Sequence, residues 1–88
     1  MARSLVERKL AACAQISEIE SFYHWEGAVQ HGREFRILFK TTTACLQSLE
    51  IAIREQHSYE LPAIYAVALE YIYPPYGAWI EREVEPHG

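Results

Sequence analysis

The chain contains no aspartate: all twelve of its acidic residues are glutamate, set against eight Lys and Arg, for a formal net charge of −4. The basic residues are scattered, with neither patch nor stripe, which argues against a nucleic-acid partner. Cysteine is nearly absent as well. Cys13 and Cys45 are the only two, they form no CxxC pair, and a reduced compartment, the cytoplasm, is the expectation. No long apolar run occurs. The longest, Leu61 to Leu69, falls far short of the roughly 20 residues that span a bilayer. The opening "MARSLVERKL" carries Arg3, Glu7, Arg8 and Lys9 and lacks the apolar stretch of a secretory signal. No membrane partner is expected. Also missing are a Ser/His/Asp set, a paired-acid motif, a phosphate-cradling Gly loop and a nucleotide fingerprint, so the chain reads as a binding protein and not an enzyme. Glu18 and Glu20 sit two apart on one strand face, where exposed acids are normally solvated surface.

What is present is apolar surface. Half of the 88 residues are apolar, enough for a single domain over 1–88. A domain of this size buries only about 60–65% of what its unfolded chain exposes, and association is one common remedy. Ala2, Leu5, Val6 and Leu10 fall at helical spacing. "AACAQISEIESFYHW" then turns β-prone, and its parity slips between Ile16 and Ile19, which predicts a bulge near Ser17-Glu18. Glu26-Gly27 resembles the Asp-Gly pairs of tight hairpins. The returning "GREFRILFKT" alternates cleanly, with Phe35, Ile37 and Phe39 on one face and Glu34, Arg36 and Lys40 on the other.

Thr41-Thr42-Thr43 offers an N-cap for a helix running to about Gln56 along Leu46, Leu49, Ala52 and Ile53. "LPAIYAVALEYIY" (61–73) has the near-continuous apolar pattern of a strand covered on both faces. Pro74-Pro75 stops it, and Tyr76, Trp79, Ile80 and Val84 recur at the spacing of a terminal helix. The order α-β-β-α-β-α predicts an α+β, ferredoxin-like sandwich without its first strand, an antiparallel sheet with helices on one face.

Four stretches, "LVERKLAACAQI" (5–16), "FYHWEGAVQ" (22–30), "FRILFKTT" (35–42) and "HSYELPAI" (57–64), resemble the CutA divalent-cation tolerance family in order and spacing. The resemblance implies a ferredoxin-like subunit that forms a homotrimer through its sheet edges and takes part in tolerance of copper or another divalent metal ion. Family members begin with a strand ahead of the first helix, carrying a cysteine implicated in copper binding. Neither is found here. The expectation is that this is a shortened gene reading; a chain that truly opens at Met1 would pair 28–40 directly with 61–73.

The resemblance also implies a metal role for His57, the histidine nearest a Pro-Tyr-Glu motif, although Gln56 and Ser58 replace a second histidine and the proline. Imidazole suits copper and zinc, and Cys13 or Glu60 could complete a site, with Cys13 as a secondary thiol. A lone histidine at a helix C-terminus is more often an end-cap, and a small thiol more often a core hydrophobe. Trp25, Lys40, Tyr59 and Glu60 are the aromatic and polar residues expected around an intersubunit cleft, where Lys40 could anchor a small anion or effector. A buried Trp is worth about 4–6 kcal/mol as an upper bound, which favours placing Trp25 in a subunit interface. The competing reading is a trimeric small-molecule-binding signalling or interaction scaffold resembling the PII proteins.

Overall fold

The computed structural model describes residues 1–57 and 61–85. Helix α1 (Ala2–Glu7) leads into strand β1 (Cys13–Trp25), which pairs antiparallel with β2 (Ala28–Lys40); a 3₁₀ turn (Thr43–Cys45), helix α2 (Leu46–Gln56) and helix α3 (Pro74–Glu83) follow.

α1 is short, and its end is closed by the backbone. Lys9 takes a left-handed φ of 61°. Its N–H bonds to the Val6 carbonyl at 2.9 Å, and the Leu10 N–H reaches back to the Leu5 carbonyl at 3.1 Å. This is the Schellman arrangement, which usually carries glycine at the left-handed position. Its hydrophobic contact is present too, because Leu5 and Leu10 both enter the core with Leu49 and Ala52, against Phe39 and Ile53. Leu5 is 0% exposed. Helix α3 begins at Pro74, where the missing N–H costs nothing, so the two prolines start this helix. Ile80 carries its apolar side into the interior, and Val84, expected in the helix, is instead its extended C-cap, also buried.

The hairpin turn is the one the sequence predicts. Glu26 and Gly27 adopt φ of 51° and 79°, the double left-handed geometry of a type I′ turn. Thirteen residues per strand at about 3.3 Å each give roughly 43 Å, nearly the whole 45 Å long axis of the molecule.

Three expectations are corrected. No bulge interrupts β1: the pairing runs unbroken from Cys13↔Lys40 to Trp25↔Ala28. The parity slip instead puts Ile16 on one face and Ile19 on the other of a ribbon that this chain leaves largely uncovered, so no single face demanded every apolar residue. The threonines do not cap α2 through their side chains; the Thr41 hydroxyl donates to the Leu10 carbonyl at 2.7 Å and ties α1 to the end of β2. Finally, 61–73 forms no strand, and it does not pair with 28–40. Its residues read as a strand, but a strand also needs a ladder partner. Among the described residues the sheet has two strands, and the backbone bond within 61–73 runs from the Ile64 N–H to the Pro62 carbonyl at 3.1 Å.

Candidate functional site

β-register decides which candidate residues meet. Cys13 is the direct partner of Lys40 at the base of the hairpin, which places their Cβ atoms about 5 Å apart on one face. The Ala12 N–H donates to the Lys40 carbonyl at 2.8 Å and fixes this end of the ribbon. Trp25 ends β1, twelve residues from Cys13 and about 40 Å away along the strand. Trp25 and Lys40 of one chain therefore occupy opposite ends of the molecule. Only a second copy can bring them together.

Trp25 is 45% exposed and shares its face with Tyr23. Phe22 projects to the other face, stacked on His31 with ring centroids 4.4 Å apart. Beside them, Glu20 meets His31 Nε2 at 3.0 Å and Glu18 meets Arg33 at 3.3 Å. These are diagonal cross-strand pairs of the kind that support an exposed ribbon.

His57 is half-buried at the C-cap of α2, with φ −94° and ψ 137°, the terminus where the sequence places it. Cys13 is a half-buried free thiol, whereas Cys45 is fully buried in the 3₁₀ turn. Tyr59 and Glu60 lie outside the described residues. Among the described residues no group of three metal-ligating side chains converges.

The structure also assembles residues that the sequence reading did not group. The Lys40 ammonium stands 5.9 Å from the Tyr76 ring centroid, and Tyr76 stacks on Trp79 at 5.7 Å. Trp79 in turn forms one wall of an open groove of about 630 Å³, shared with Val6, Ala12, Cys13 and Ala14. The i,i+3 spacing of Tyr76 and Trp79 was the available signal. In the sequence it marks only the spacing of a terminal helix, while the end of β2 brings Lys40 to Tyr76.

No helix among the described residues is long and apolar enough to cross a membrane. Residues 1–83 match the pattern of the CutA1 divalent ion tolerance protein family. A divalent-cation tolerance protein CutA from Thermococcus kodakarensis is 36% identical over 80 residues, spanning 91% of this chain and 77% of that protein. The solved structure of CutA from Archaeoglobus fulgidus, described as periplasmic, superposes with a TM-score of 0.91 at 36% identity, covering 96% of this chain and 82% of that one. The PII-like CutA of Nostoc superposes at 0.93 with 28% identity, covering 98% and 85%. The α+β, ferredoxin-like fold read from the element order is the fold of these neighbours, and the chain belongs to the CutA1 divalent ion tolerance family.

Proposed function

We propose that the chain acts as a homotrimeric, cytoplasmic protein of divalent-metal tolerance, binding copper or another divalent ion without catalysing a reaction. The observation that carries the assembly is its uncovered apolar surface. Tyr65, Val67, Leu69, Tyr71 and Tyr73 alternate along 61–73 and are all exposed, Tyr65 to 79% and Val67 to 77%. Phe35, at 72%, and Trp25 add to this on the hairpin. Large apolar side chains exposed in such number are a reason to look for an interaction site, and sister copies are the occupant the proposal names. The roughly 40 Å between Trp25 and Lys40 fits a cleft built from two copies, with Tyr59 and Glu60 as its remaining members.

The metal role rests on family membership and on the half-buried imidazole of His57, with Cys13 as a secondary thiol. Native mass spectrometry with and without copper tests both parts at once. Three copies carrying copper, with the metal lost in His57→Ala, is the expected result; a metal-free single chain under both conditions defeats the proposal.

A second reading, a PII-like scaffold that binds a small anion, is favoured by Lys40. It is half-buried, and no carboxylate among the described residues lies within 4 Å of its ammonium. A small anion that raises the thermal stability of the assembly, where metals leave it unchanged, would select this reading.

A further inference from the structure

We infer that the outward edge of β2 and the segment 61–73 together receive an extended, largely apolar peptide strand from another polypeptide, laid antiparallel to both. The inference is independent of the metal and anion readings. It concerns backbone edges, whereas the sister copies of the proposed assembly cover side-chain faces, and the outer edge of β1 is left open to them.

Register identifies the edge. The two-residue turn at Glu26-Gly27 makes Trp25 and Ala28 a hydrogen-bonded pair. Alternation along the unbroken ladder then points the N–H and C=O groups of Val29, His31, Arg33, Phe35, Ile37 and Phe39 away from β1. Among the described residues no hydrogen bond reaches these backbone groups. A row of open donors and acceptors this long is a template for a further strand, and no proline guards it.

Topology supplies the second wall. β2, α2 and 61–73 follow one another in the order of a β–α–β unit, whose two extended arms run in the same direction. Their ends meet accordingly. The Tyr76 and Gly77 N–H groups donate to the Tyr73 carbonyl at 2.9 and 3.0 Å, and the Tyr76 ring centroid lies 5.9 Å from the ammonium of Lys40, the last residue of β2. Yet no backbone bond joins the two arms. The second arm is composed as an interior strand, apolar on both faces, but every residue from Tyr65 to Tyr71 is exposed. Two arms of one direction with open ladders and no bond between them are bridged by a single strand antiparallel to both. Strand addition draws its affinity from main-chain bonds and its specificity from alternate side chains. Here the flanking side chains are Phe35 on β2 and Tyr65, Val67 and Leu69 on 61–73, so the occupant is apolar and β-branched. The net charge of −4 favours basic flanks on it.

The test uses the whole chain and a peptide of about ten residues, valine and threonine between terminal lysines, with two isomers N-methylated at alternate backbone nitrogens. Alternate N–H groups of a strand face opposite neighbours, so each isomer blocks one edge and keeps every side chain. Adding the unmethylated peptide is expected to slow amide hydrogen exchange at the outward amides of β2 and along 61–73 together. Each methylated isomer is expected to bind at least about tenfold more weakly, the scale of one or two lost hydrogen bonds. Phe35→Pro removes one outward N–H and leaves the ladder to β1 intact; it is expected to weaken the peptide more than Phe35→Ala does, with the β1 amides still protected. No binding, or full-strength binding by either methylated isomer, overturns the inference. So does protection confined to β2, to 61–73 or to the outer edge of β1. Protection of both arms that is present without peptide and grows with protein concentration assigns the edges to a second copy, and overturns it as well.

Discussion

The base of the molecule and its outer surface are built by opposite rules. At the base, Leu5, Leu10, Leu49 and Ala52 are buried together and Phe39 closes over them. The outer surface has the same kinds of residues left exposed: Ile16, Phe35 and Leu38 on the ribbon, Phe22 with only the His31 ring against it, and the alternating large side chains of 61–73. Composition does not separate the two regions; what separates them is whether this chain supplies a second layer. The base is a finished core. The outer surface has the residue pattern of a core with no second layer from this chain.

The largest effect expected is at the base. Leu5→Ala deletes a fully buried side chain from the cluster that joins α1 to α2 and β2. It is expected to cost about 3 kcal/mol, read as a fall in the denaturant midpoint at any protein concentration. Trp25→Ala is the matching test at the outer surface. It should leave a dilute single chain unaffected but cost the assembly about 2 kcal/mol per subunit, typical of an interface aromatic. That loss shows as a melting temperature that depends on protein concentration. If the two substitutions destabilise the chain equally and independently of concentration, the contrast between the regions collapses.

Legibility follows the same division. Local signals decided the base and the turns: Glu26-Gly27 made the type I′ turn, and the helical stripes made α2 over 46–56 and α3 over 74–83, one residue short of Val84. Long-range partners were not legible. A straight register and a bulge differ only in what lies across the ribbon, and the slip at Ile16 and Ile19 could not distinguish them. The run at 61–73 has the residues of a strand but no ladder partner in the described chain. The site was legible in part. Cys13, Lys40 and His57 lie where their elements predict, yet the grouping of Lys40 with Tyr76 and Trp79 depends on where the end of β2 meets α3.

A gain of stability is available at the base. Lys9 holds a left-handed φ that suits glycine, and its carbonyl accepts from the Glu85 N–H at 2.8 Å, so the conformation is tied in from both sides. Lys9→Gly removes the side-chain strain but adds freedom to the unfolded chain. The net expectation is a gain of about 0.5 kcal/mol, or about 3 °C in Tm for a domain of this size. A loss of stability would mean that the Lys9 side chain contributes more than its backbone costs.

The smallest effect belongs to the ribbon's ion pairs and asks whether its polar rows carry any of its order. Glu18 meets Arg33 across the strands at 3.3 Å, with both side chains more than half exposed. An exposed pair of this kind contributes about 0.3 kcal/mol and fades with salt. Glu18→Gln should therefore lower stability by about that amount in dilute buffer and by nothing measurable in about 1 M salt, where the screening length falls to about 3 Å. A loss several times larger that persists in salt would show that Glu18 lies within a covered interface and not on open surface. The boundary between the covered and uncovered regions would then have to be redrawn farther out along the ribbon, at a residue that a single chain leaves in water.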